Sequence, residues 1–236
     1  MIAFNLQLNT LALVLQLLPA PSPPPAHLSW AQRLLVDIQP QDNSYGSHPT
    51  VVQWRGVDGA RRTFNRSVCS SFITALIRRA YGYSSDQIRY WLGARSPQAV
   101  DYYDAIARGN RFQPVLLIGA VEPGDLLATR NLRPAARNTG HLMLAAAQPQ
   151  LVKPCDRQFC RYRLTVIDSS RSGHGPNDSR GKSSGVGIGV IELQADLAGR
   201  VHAFRWSELQ RSQWRGSDAE PVLIGRFCDH GCGPSF

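Results

Sequence analysis

The feature that most constrains this chain is a single change of hydrophobic period along its 236 residues. In the first half, apolar side chains recur every three or four positions. In FITALIRRAY (72–81), Phe72, Ile73, Leu76, Ile77 and Ala80 share one helical face, and Gly82 stands where the helix must stop. Beyond about residue 110 the pattern becomes short apolar runs of strand length. These are VLLIGAV (115–121), DLLAT (125–129), HLMLAAAQ (141–148), YRLTVID (162–168), GIGVIEL (187–193), VHAFRW (201–206) and PVLIGRF (221–227). Turn residues separate them. Helices that come first and strands that follow do not alternate as βαβ units. They predict an α+β fold, with N-terminal helices packed on a mostly antiparallel, barrel-like sheet. Further helices are predicted from Ser29, from Ser85 to Leu92, and from Ser96-Pro97 to Arg108. A short strand is predicted at TVVQW (50–54).

An apolar fraction of 43% fills one core, so residues 27–236 are read as a single domain. Residues 1–26 are read as a signal peptide and Pro-rich linker. The run Leu11–Leu18 is too short to span a bilayer and ends at PAPSPPPA, with a small-residue cleavage position after Ala26. No Lys or Arg precedes that run. From the signal-like run, the expected location is periplasmic, secreted or cell-envelope associated. The net charge is +9, carried almost wholly by arginine, since Lys153 and Lys182 are the two lysines. These arginines are dispersed, without a basic helix or aromatic ladder, which argues against a nucleic-acid partner. An anionic cell-envelope polymer suits the charge better. The chain is read as a monomer that needs no cofactor and no metal.

Four of the five cysteines form close pairs, Cys155 with Cys160 and Cys228 with Cys232, and Cys69 stands alone. In an exported chain this suggests two small-loop disulfides and one free thiol. Cross-linking between the pairs, or a four-cysteine zinc site near His230, stays open at this stage. The intervening spacings fit zinc poorly.

Cys69 lies where the polar turn FNRSV becomes the helical run, with Ser67 as a capping residue. A thiol attacks carbonyls as thiolate, and a helix N-terminus and a neighbouring imidazole both favour that form. Six histidines compete for the role of base. His27 and His48 lie before the core, His202 within a strand, and His230 between cysteines. His174 lies in the long polar loop 169–185. His141 opens an apolar strand directly after an Asn-Thr-Gly turn, where a side chain can face a cleft. Asp168 ends the LTVID strand. If strands 141–148 and 162–168 are antiparallel neighbours, His141 and Asp168 meet. The bland alternatives are a buried core Cys and an Asp that caps a turn.

The series SVCSSFITALIRRAYG, VEPGDLLAT, TGHLMLAAAQP and LTVIDSS resembles the NlpC/P60-type branch of the papain-like cysteine peptidases over residues 64–170. The resemblance implies a papain-like fold and a catalytic Cys69, His141 and Asp168. It implies cleavage of an amide bond in a peptide, peptidoglycan stem peptides included. Ser70, beside the nucleophile, and His174, Asp178 and Arg180 in the 169–185 loop are the candidate substrate-binding residues. Two departures matter. Val68 stands where many wall peptidases of this branch have an aspartate that holds a substrate amine, and the 169–185 loop lies outside the usual pattern. Transglutaminase-like proteins share the Cys, His, Asp order, so acyl transfer is the alternative reaction. A non-catalytic envelope-binding domain is the alternative class.

Overall fold

The structure, a computed structural model, describes residues 23–133, 138–229 and 231–232. The signal-like run, His230 and the last four residues lie outside the described residues. The helices are α1 (Ala26–Asp37), α2 (Cys69–Tyr81), α3 (Ser85–Leu92) and α4 (Ala99–Ala107). The strands are β1 (Asn43–Tyr45), β2 (Val51–Gln53), β3 (Phe64–Ser67), β4 (Phe112–Pro114), β5 (Leu126–Thr129), β6 (Leu142–Ala145), β7 (Gln150–Lys153), β8 (Phe159–Ser170), β9 (Gly185–Asp196), β10 (Val201–Arg205), β11 (Trp214–Gly216) and β12 (Val222–Phe227). The fold is α+β, and the large sheet is antiparallel throughout.

That sheet runs β11-β10-β9-β8-β6-β5-β12-β4, with β7 paired to the outer half of β8. It curls enough to bring Phe204 of β10 and Ile224 of β12 into one apolar cluster. No ladder joins β11 to β4, so the expected barrel is corrected to an open, curved sheet. Both faces are covered. Leu126, Leu142, Leu144 and Ile167 meet α2 and α4 on one face, while Leu127, Met143, Val166 and Leu193 build the second cluster on the other. Burial on two faces explains why β5 and β6 read as continuous apolar runs rather than alternating ones.

Local chemistry fixes the helix boundaries. Gly82 and Gly93 end α2 and α3 in the left-handed conformation. Ser84 and Gln87 form a reciprocal capping box at α3. At α2 the expected cap is corrected. Val68 takes the cap position, and its N–H donates to the Ser71 hydroxyl at 3.0 Å. Ser67 instead donates to Asn65 Oδ1. The first helix begins three residues before Ser29, with Pro25 as its cap, and Pro25 lies against Gly124. The folded unit thus reaches past the expected cleavage position. The run 115–121 is corrected from strand to a short 3-10 turn, Ile118–Ala120. Val115 makes one bond to Ile224 at the sheet edge, and the chain then leaves. Leu116 is left 73% exposed while Ile118 and Val121 enter the second cluster.

A smaller sheet, β1-β3-β2, leads into α2. It is joined to the large sheet by the side chain of Asn43, which exchanges two hydrogen bonds with the backbone of Val186 at 2.8 and 2.9 Å. Disulfides link Cys155 to Cys160 and Cys228 to Cys232, and Cys69 is free. Two disulfides fit an oxidising compartment. No helix among the described residues is long and apolar enough to cross a membrane.

Candidate active site

Cys69 is the first residue of α2, buried at 6% exposure where β3 turns into the helix. As an opening residue its N–H has no intrahelical acceptor, so it adds to the positive end of the helix dipole. Ser70, expected to touch the substrate, lies beside it and is as buried as the thiol. Its carbonyl accepts the Thr74 hydroxyl at 2.8 Å, and that hydroxyl also meets Tyr102.

His141 immediately precedes β6. Its neighbour Gly140 passes so close to β5 that a Cβ there would lie 1.9 Å from the Thr129 carbonyl oxygen. Only glycine fits, and its φ of 144° lies outside the range L side chains favour. The close approach is clamped on both sides of His141. Thr129 N–H donates to the His141 carbonyl, and His141 N–H donates to Thr129 Oγ1, each at 2.8 Å. This is the physical content of the Thr-Gly-His motif. It holds the imidazole at the mouth of the strand.

β6 and β8 are antiparallel neighbours, with Leu144 opposite Ile167, which meets the condition on which His141 and Asp168 come together. Asp168 therefore arrives beside His141, and the carboxylate Oδ2 accepts from His141 Nε2 at 2.5 Å. The Cys69 side chain lies within electrostatic reach of the imidazole, and each shifts the other's titration. Cys69, His141 and Asp168 are thus brought together at the head of α2.

The electrostatics of these three groups are coupled. Burial pushes the Cys69 thiol up, but the His141 charge, its hydrogen bond and the Leu142 N–H outweigh burial and bring it below its ordinary value. Burial pushes His141 down, and the Cys69 charge and the Asp168 hydrogen bond more than reverse this, raising the ring to about 10. Burial also pushes Asp168 up, yet His174 and His141 together hold its carboxyl well below the usual range. Relative to the isolated groups, these shifts favour a thiolate beside an imidazolium, backed by a carboxylate.

His174, Asp178 and Arg180 do not line an open pocket, which corrects the expectation that they contact substrate. Their side chains are wholly buried behind Asp168, with 0% exposure for those of His174 and Arg180 and of Asp178. Arg180 Nη1 donates to Asp168 Oδ1 at 2.7 Å and to Ser170 Oγ at 2.5 Å. Its Nε and Nη2 grip both oxygens of Asp178, at 2.8 and 2.6 Å. His174 Nε2 sits 3.2 Å from Asp168 Oδ1, at ion-pair distance but off the line of a good hydrogen bond, and its Nδ1 donates to the Trp206 carbonyl at 2.9 Å. Trp206 also packs edge-on against His141, with ring centres 4.9 Å apart.

The loop owes its place to glycines of β9. A Cβ on Gly187 would lie 2.5 Å from Arg180 Nε, and one on Gly189 would lie 2.3 Å from Asp178 Oδ2. The segment GVGIG therefore clears one face of β9, and the Arg180–Asp178 pair lies flat on it. Alternate glycines in a strand-length run are the signal that sequence reasoning missed.

The remaining motif, Pro-Gly-Asp, is structural. Asp125 accepts the Glu122 N–H at 2.8 Å and two bonds from Arg226 at 2.9 Å, which sets the turn into β5. His27 braces the same turn through the Gly124 carbonyl at 2.8 Å. His202 lies exposed beside Asp196 on β9. No cluster of three or more His, Cys, Asp or Glu suited to a metal ion occurs among the described residues.

The chain is 29% identical over 219 residues to an uncharacterized protein of Acanthamoeba polyphaga mimivirus, a match that covers 86% of this chain and 96% of the viral protein. No family model matches the chain. No solved structure matches it.

Proposed function

We propose that this protein is a cysteine hydrolase of papain-like architecture that cleaves an amide bond in a peptide, and that it works in an exported, oxidising setting. The observation that carries the reading is the buried His141–Asp168 hydrogen bond beside the Cys69 thiol at the head of α2, with the thiol brought below and the imidazole raised above their ordinary values. Perturbed groups in mutual contact at a helix N-terminus are characteristic of nucleophilic sites. The series of motifs from Cys69 to Asp168 that resembles NlpC/P60-type peptidases supports the same reading, with peptidoglycan stem peptides as the first substrates to try.

In this mechanism the Cys69 thiolate attacks the scissile carbonyl, forming the S–C bond. The Cys69 N–H faces the developing oxyanion. The His141 imidazolium gives its proton to the leaving amine as the C–N bond breaks. Water then attacks the thioester with His141 as base, which regenerates the thiolate and releases the acid. Asp168 holds the ring throughout.

The test is turnover of peptide and muropeptide amides by purified protein and by Cys69→Ala. Loss of all turnover in the variant, with an unchanged melting temperature, is the expected result. Equal turnover by both proteins would sink the reading. Added amine nucleophiles separate hydrolysis from acyl transfer, because transfer diverts the product to a new amide.

A further inference from the structure

The groups that open onto the thiol carry a distinctive charge pattern. Ser67, the last residue of β3, organises it. Tyr45 lies opposite Ser67 in the β1–β3 ladder, and the Ser169 hydroxyl donates to the Ser67 carbonyl at 2.7 Å. The end of β1, the end of β8 and the start of α2 therefore converge on one spot. Arg171 follows β8 directly. Its guanidinium lies over the Tyr45 ring, 5.5 Å from the centre, and is exposed to solvent. Tyr45 is half-buried and feels both Cys69 and Arg171. Burial and the Cys69 charge raise its hydroxyl, and Arg171 lowers it.

Arg171 has no hydrogen bond or ion pair among the described residues. The two carboxylates behind the thiol, Asp168 and Asp178, are buried and already matched by His141, His174 and Arg180. Val68, before the nucleophile, brings no charge. Arg171, braced on an aromatic ring, is therefore a solvent-exposed cation near the start of α2 with no ion pair among the described residues. A guanidinium held this way is preorganised to take a carboxylate in a two-pronged contact.

We propose that Arg171, on its Tyr45 platform, is a specificity residue that selects substrates with a carboxylate next to the scissile carbonyl. This rests on the reading of Cys69 as nucleophile. The carboxylate can belong to an acidic side chain or to a chain terminus.

The test uses the thiol itself. Iodoacetate and iodoacetamide alkylate a thiolate by the same displacement, in which an S–C bond forms as iodide leaves, and they differ in a carboxylate. The ratio of their rates at Cys69 is compared with the same ratio for N-acetylcysteinamide. The wild-type ratio is expected to exceed the reference by about fivefold, the size of an exposed ion pair. Arg171→Gln removes that excess and Arg171→Glu inverts it, while Arg95→Gln, in the bend that follows α3, leaves it in place. A wild-type ratio equal to the reference, or one that survives Arg171→Glu, overturns the proposal and leaves the nucleophile reading intact. A Cys69 that reacts with neither reagent overturns both. The source of the carboxylate is read from matched amide substrates, Glu against Gln at the flanking residue and free acid against terminal amide. Arg171→Gln raises KM on the charged member of one pair only. An equal rise on charged and neutral members overturns the assignment.

Discussion

Replacing Arg180 by methionine isolates the contribution of the charge network behind Asp168. The substitution keeps an unbranched stem over Gly187 and removes five side-chain hydrogen bonds, two of them to Asp178, and one each to Asp168, Ser170 and Gly185. Asp178 retains only the backbone N–H groups of residues 174 and 180, at 2.8 and 2.9 Å. Asp168 Oδ1 retains only His174. Removing one partner of a buried pair costs about 3–5 kcal/mol, because the other charge is left uncompensated. Against a total stability of roughly 5–15 kcal/mol that is a large fraction. For a chain of this size it lowers the melting temperature by roughly 6–20 °C. Differential scanning calorimetry of the wild type, Arg180→Met, Asp178→Leu and the double variant gives the coupling. The double variant should lose less than the sum of the singles by at least about 2 kcal/mol, since neither member then leaves its partner unpaired. The thiol provides a second readout. Arg180→Met should slow alkylation of Cys69 in the residual native protein, because Asp168 no longer holds the ring as firmly. A loss below about 1 kcal/mol, or strict additivity, would refute the idea that Arg180 is the counter-charge that keeps Asp168 in place.

The remaining predictions follow from the same geometry. Because the Cys69 thiol lies below its ordinary value, its deprotonated form persists to lower pH, so alkylation by iodoacetamide should titrate with a midpoint below that of a free thiol, about 8.5. A midpoint at or above it contradicts the ion pair. In the proposed mechanism the imidazolium is the proton donor, so amide turnover should fall as pH rises through the raised His141 value of about 10. Asp168→Asn keeps the shape and removes the charge. It should lower kcat by a factor on the order of 10²–10⁴, as read by amide turnover. Gly189→Ala places a Cβ against Asp178 Oδ2 and within 2.9 Å of His174 Cβ. It should cost about 1–3 kcal/mol by overpacking. Gly119→Ala, whose Cβ would meet nothing within 4 Å, should be near neutral when the two variants are compared by urea titration.

Much of the site is legible from local rules. Cys69 stands out because the other cysteines pair and because a polar turn precedes a clean helical period. His141 and Asp168 stand out because each lies at the end of an apolar run, and antiparallel pairing brings such ends together. What was not legible depends on long-range geometry. The curvature of a sheet is a sum of small twists, so a barrel-like pattern and an open, curled sheet share one sequence signature. The run 115–121 has strand composition, but only Val115 finds an edge to pair with, and the exposure of Leu116 is decided by what does not cover it. The loop 169–185 looked like a polar surface segment because Asp and Arg are usually solvated. Its burial was written elsewhere, in the alternate glycines of β9, whose missing side chains make room for it. Expecting contact with substrate from His174, Asp178 and Arg180 identified the right neighbourhood and the wrong layer.

The Arg180–Asp178 pair, laid flat on the glycines of β9, bears on how the protein can be engineered. Long polar connections between strands are where epitope tags, reporter domains and new chain termini are ordinarily inserted. Here residues 171–184 would be a costly choice, since a graft there pulls charged side chains off the sheet and loosens the carboxylate that holds His141. The exposed Cys155–Cys160 hairpin is remote from that network and already closed by its own covalent link. It is the better point of attachment.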